Sequence, residues 1–309
     1  MTSATSGSLS PSQSDHQSVE TKPIDVLLRE TAINSTTMYL LSFMVVFVIF
    51  YVANSVVGHY WDISNTLFYY GADFKEFRGN WSRSSVVTIY GVGPTICFFW
   101  AVFCFRMYFR TYKKPGLAKL FYVWGVVHGF VMFFGAAAVG VFTRSGFGYA
   151  IRWAYMPMIA CFIIAALALI ILLTVGIKFI NFFMYTACSL ELLEDNESKK
   201  RFVFYAVLVP FMVSSLLLVA SQVPELFLAN ILLILSPALI VLPVWARAQT
   251  HHGSYGIATE TDYGISKTWL IVAMVILVGY RLFLASGIKI IDTKVESQAT
   301  EMPEVKSNQ

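Results

Sequence analysis

The group in this sequence best suited to chemistry is an imidazole inside an apolar run. His128 sits near the middle of residues 117–142, where an ionisable side chain is costly unless it faces protein or a wet cavity. In that position it either relays a proton or meets a substrate, or it stays neutral and bonds a neighbouring helix. Arg281 falls within the run 268–288, and Glu225 opens the run 225–247. The guanidinium can pair with that carboxylate, or it can extend to the interface as long cationic side chains do. His59 and Asp62 are three apart and share a helical face, yet two ligands do not define a metal site. His251 and His252 point to opposite sides if extended. The four cysteines, Cys97, Cys104, Cys161 and Cys188, lie in apolar stretches without CxxC spacing and are expected as core residues. No catalytic residue, metal or cofactor is therefore expected.

A second set of residues concerns close approach and bending. Gly125 and Gly129 form a GxxxG step around His128, and Ala136 and Gly140 repeat the spacing, which marks a face where another helix can come near. Gly91-Val92-Gly93-Pro94 in the second apolar run is the best candidate for a broken segment, a device that transporters use to expose backbone groups. Prolines 157, 210, 237 and 243 also fall within apolar runs and predict kinks.

What must position these residues follows from the composition. Of 309 residues, 57% are hydrophobic and 13% charged, where a soluble domain carries roughly 25% charged residues. The mean hydropathy is +0.65. Apolar runs at 38–57, 86–107, 117–142, 153–176, 202–220, 225–247 and 268–288 are each long enough to cross a bilayer, so the expectation is an all-α polytopic bundle of about seven spans. Residues 177–190, interrupted by Lys178 and Asn181, read as an interfacial extension of the fourth helix. The polar segment 1–37 reads as a disordered tail and lead-in, 38–289 as the bundle, and 290–309 as a flexible tail.

Orientation comes from the basic residues. Arg106, Arg110, Lys113, Lys114 and Lys119 lie between the second and third runs, and Lys199, Lys200 and Arg201 precede the fifth, which places both loops and the amino terminus in the cytoplasm. The opposite loop holds Tyr60, Trp61, Phe68, Tyr69, Tyr70, Phe74, Phe77 and Trp81, suited to a membrane interface, and Asn80-Trp81-Ser82 fits a glycosylation sequon. A net charge of +4 spread beside apolar runs offers no phosphate-tracking face, which excludes nucleic acid as a partner. Membrane lipid and partner membrane proteins remain.

In layout, residues 38–176 resemble site-2-protease-like membrane proteins: an initial span, an aromatic loop, a helix carrying Gly93-Pro94, then a Gly-rich helix. That family's HExxH motif places two histidines and a glutamate on one helical turn, whereas the nearest stretch here is Gly58-His59-Tyr60-Trp61-Asp62. The resemblance thus implies a divergent, metal-free relative of an intramembrane metallopeptidase. Thr143-Arg144-Ser145-Gly146 departs from the rhomboid GxSG, and no later span holds a histidine to activate Ser145. The leading expectation is a non-catalytic membrane protein, either a transporter or channel subunit or a bundle that binds lipid or protein.

Overall fold

A computed structural model describes residues 22–74, 81–248, 250 and 264–290. The helices are α1 (Ile24–Tyr60), α2 (Arg83–Thr111), α3 (Ala118–Phe130), α4 (Ala136–Thr143), α5 (Phe147–Trp153), α6 (Met158–Met184), α7 (Asn196–Val203), α8 (Val209–Ser221), α9 (Leu228–Leu235), α10 (Ala238–Arg247) and α11 (Lys267–Phe283). Single π-helical turns, Val131–Gly135 and Phe204–Leu208, join α3 to α4 and α7 to α8 into continuous rods. Among the described residues six helical rods are long and apolar enough to cross a membrane, a composition compatible with a multi-pass membrane protein.

α11 has 17 residues, a rise of about 26 Å, and is tied at both ends. At its start, Asn34 of α1 accepts from the Ser266 backbone N–H at 3.0 Å and donates to the Gly264 carbonyl at 3.3 Å. Beyond its finish, strand β3 (Ile288–Ile290) pairs with β1 (Asn65–Phe68), which pairs with β2 (Gly71–Phe74); all pairings are antiparallel, in the order β2-β1-β3. α11 thus runs beside α1 from the Asn34 level to this sheet. Among the described residues, seven helical segments link a sheet end to an opposite end bearing Ile24, the α2–α3 turn and Lys267, and α5 caps the sheet end.

Several boundaries differ from the sequence reading for local reasons. The lead-in 24–37 is helical and continues α1 to 37 residues, because Ala32, Ser35 and Thr37 are buried in the bundle instead of facing water. The fourth span begins at Met158, not 153, since Pro157 occupies its N-cap and 147–153 forms the separate α5. Its extension does pass Lys178 and Asn181, to Met184. The sixth run is two helices that part at Ser236-Pro237. The seventh stops at Phe283 because Gly287, at φ +72°, turns the chain into β3. The sheet was unforeseen, its strands being three and four residues long.

Local chemistry fixes the helix starts. Ser82 caps α2 by accepting from the Ser85 backbone N–H at 3.1 Å, while Ser85 Oγ accepts from the Ser82 N–H at 2.8 Å, a capping box built from two serines. Asp195 caps α7 through the Ser198 N–H. The Asp195 carboxyl is held below its ordinary range by that bond.

Candidate functional site

His128 lies one turn before the first π-helical turn and is 1% exposed. π-turns leave carbonyls out of the regular ladder and recur at functional sites. Three rings enclose the imidazole: Tyr39 edge-on at 4.4 Å, Phe43 edge-on at 5.5 Å, and Trp124 at 6.0 Å and nearly parallel. Neither ring nitrogen has a hydrogen-bond partner, and Ser42 and Ser214 keep unpartnered hydroxyls in the same bundle core. A short polar chain runs alongside. Trp124 Nε1 donates to Ser35 Oγ at 3.0 Å, and Ser35 Oγ donates to the Ala206 carbonyl at 2.6 Å, inside the second π-helical turn. The Tyr39 and Ser215 hydroxyls are 3.5 Å apart. His128 is thus a packed core group of α3 set against α1.

The glycine step works as a contact face. A Cβ on Gly125 would meet Cys104 Sγ at 2.6 Å, and one on Gly129 would meet the Cys97 carbonyl at 2.6 Å and Ala101 Cβ at 2.7 Å. Both press α3 on α2 at backbone distance.

The Gly91–Pro94 stretch is not a break: α2 is helical throughout, with Pro94 inside it. Its glycines differ. Nothing lies within 4 Å of a Cβ built on Gly91, whereas at Gly93 the same atom would clash with Asn54 Oδ1 and meet the Phe50 carbonyl at 2.6 Å. Asn54 Oδ1 accepts from the Gly93 N–H at 2.9 Å, so the helix is tied to α1 at the residue before its proline.

Arg281 does not pair with Glu225. Its Nη2 donates to the Val223 carbonyl at 2.9 Å, and its guanidinium carbon sits 3.6 Å from the Tyr69 ring centre. Glu225 faces Tyr70 instead: burial raises the Tyr70 phenol above its ordinary value, and the Glu225 and Asp73 charges add to the shift. Interfacial anchoring of Arg281 is the reading that fits.

His59 is exposed at the end of α1; His16, His251, His252, Phe77 and Asn80 lie outside the described residues. Among the described residues no group of three His, Cys, Asp or Glu side chains converges on one point. The four cysteines are free and buried.

A cavity of a size suited to binding lies elsewhere. A cleft of about 740 Å³ opens between α1 (Met38, Leu41, Val45), the start of α3 (Leu117, Phe121, Tyr122) and α11 (Trp269, Val272, Ile276), with Gly116, Gly264 and Ser266 at its mouth. Its walls are almost wholly apolar, and its volume suits a ligand of lipid or drug size.

Sequence reasoning missed Asn34, Asn54 and this cleft. A signal existed for the asparagines, because a carboxamide in an apolar helix needs a partner; Asn34 was set aside with the lead-in. No family model matches this chain, and neither a curated protein nor a solved structure is significantly similar to it.

Proposed function

We propose that this chain is a non-catalytic membrane protein crossing the bilayer seven times, with the α1–α3–α11 cleft as its binding site for a lipid-class ligand. The observation that carries this reading is the cleft itself: about 740 Å³ with apolar walls, between helices whose outer faces are apolar. Transport along a polar route has less support. His128 is ringed by aromatics, Gly93 is tied to Asn54, and Arg281 rests on Tyr69 at the sheet end, so the three candidate groups do not share one cavity.

The seventh crossing rests on the attachment of α11 to Asn34 at one end and to the sheet at the other. For orientation, Arg110, Lys113, Lys114, Lys199, Lys200, Arg201, Arg247 and Lys267 gather at the end opposite the sheet, against Arg83, Arg144, Arg152, Arg281 and Lys289 at the sheet end. The positive-inside rule then places the amino-terminal end in the cytoplasm.

The test is native mass spectrometry of the detergent-purified chain, beside a variant with Val45→Trp and Val272→Trp filling the cleft. The wild type is expected to retain one lipid-sized adduct more than the double variant, whose helical circular dichroism is unchanged. A chain carrying no adduct, or equal retention by both proteins, would overturn the assignment. Orientation is checked by single cysteines at Lys114, Ser198 and Ala72: an impermeant thiol reagent on intact cells should label only the last.

A further inference from the structure

At the sheet end, away from the cleft, four aromatic side chains close on a second cavity of about 330 Å³: Trp81, Tyr90, Tyr149 and Trp153, with Val86 beside them. The placement is set locally. Trp81 immediately precedes the Ser82 cap of α2, Tyr90 lies two turns further along that helix, and Tyr149 and Trp153 stand one turn apart on α5. The Trp81 and Tyr90 rings are 12° from parallel with centres 6.5 Å apart, and Tyr149 stands 5.5 Å from Tyr90 at 44°.

Aromatic faces carry negative charge density and attract cations. At this end of the molecule they already do so twice: Arg83 lies 4.6 Å from the Tyr155 ring centre, and Arg281 lies over Tyr69. Among the described residues, those lining the box include no carboxylate. That composition discriminates between cations. An ammonium bearing N–H groups would lose its water and find few acceptors in return, whereas a trimethylammonium has no N–H to satisfy and loses little on entering.

We propose that this box binds the quaternary ammonium of a choline-type phospholipid headgroup from the leaflet at the sheet end. A lipid is favoured over a soluble ammonium because the box opens onto apolar surface: Trp153, Tyr155, Met156, Met158 and Ile159 are all exposed and lead along the start of α6. The proposal is independent of the cleft.

The experiment is native mass spectrometry of the full-length protein in detergent with equimolar phosphatidylcholine and phosphatidylethanolamine of equal chain length. Tetramethylammonium chloride is added as competitor, against sodium chloride at matched ionic strength. About tenfold preferential retention of phosphatidylcholine is expected, weakened by tetramethylammonium. Tyr149→Leu should bring the two lipids to parity, and Tyr149→Phe should keep the preference. If Tyr149→Leu fails to fold, Trp153→Leu at the exposed wall takes its place. Equal retention of the two lipids by the wild type, or a preference that survives loss of either ring, defeats the proposal. Binding of tetramethylammonium without retention of phosphatidylcholine defeats the lipid source.

Discussion

The two sides of α3 are packed in opposite ways. Toward α2, Gly125 and Gly129 bring backbones so close that a single added carbon would collide with Cys104 Sγ or the Cys97 carbonyl. Toward α11, Phe121 and Tyr122 border the open cleft of about 740 Å³. The difference teaches where helix association is fixed and where it is left adjustable. In lipid there is no hydrophobic drive between helices, so a seam of small residues makes contacts that bulky side chains leave unmade. α1, α2 and α3 form the fixed part, and α11 packs on α1 with Ala273 and Leu277 buried, leaving the cleft open between it and α3.

The sharpest way to break this comparison is Gly129→Leu. Overpacking a tight core costs about 1–3 kcal/mol and sometimes more, and here the obstacle is backbone of α2, which cannot rotate away. Folded yield and thermal stability in detergent should fall to the point where little monodisperse protein is recovered. The comparison is with Val275→Leu on the exposed side of α11, which should leave yield unchanged. Equal recovery of the two variants would show that the seam is not tight.

Next in size is the tie between α1 and α2. Asn54→Leu removes the acceptor for the Gly93 N–H and places a branched chain where the two helices touch. The lost hydrogen bond alone is worth about 1 kcal/mol, and the added bulk against Gly93 raises the cost. A decrease in apparent melting temperature of several degrees is expected, smaller than for Gly129→Leu. A melting temperature unchanged within error would mean that Asn54 does not hold the helices together.

How much of this was legible depended on whether the signal was local. Runs of apolar residues gave the helical bundle and most span positions, since bilayer thickness acts on each run separately. The GxxxG step pointed to a close face because small size is a property of the residue itself. Neither the partner of Arg281 nor the fate of His128 could be read this way. Tyr69 and Val223 are more than fifty residues from Arg281, and the rings that enclose His128 come partly from α1. The cleft was less legible still: Val45, Tyr122 and Val272 look like any lipid-facing residues until three helices fail to meet. Gly91–Pro94 was a candidate for a broken segment, but a helix tied by Asn54 just before its proline stays continuous.

A gentler test acts on the cleft side. Val45→Trp and Val272→Trp together place large side chains where space exists, so the stability change should stay within about 1 kcal/mol, near the range for substitutions away from tight packing. The same chemistry at Gly125 or Gly129 should abolish folding. A melting temperature lowered as far as by Gly129→Leu would mean that the cleft closes in the membrane and that the two sides of α3 do not differ.

The smallest expected effect, that of Gly91→Ala, is also the most local. Gly91 and Gly93 sit two residues apart in α2, so they share helix, depth and neighbouring proline, and differ in the side of the helix they occupy. On geometry, Gly93 cannot accept a Cβ, because Asn54 and the Phe50 carbonyl fill that place, while Gly91 has nothing within 4 Å. Glycine in a helix interior is worth up to about 1 kcal/mol less than alanine, through backbone entropy. Gly91→Ala should therefore leave the melting temperature unchanged or raise it by a degree or two, while Gly93→Ala should lower it by several. This pair separates a hinge from a contact. Were the stretch a flexible hinge, both substitutions would stiffen it and their effects would share a sign, with function impaired in each. Opposite signs place the constraint on the one face that meets α1 and leave the other free, which is the asymmetry of α3 repeated on the helix it presses against.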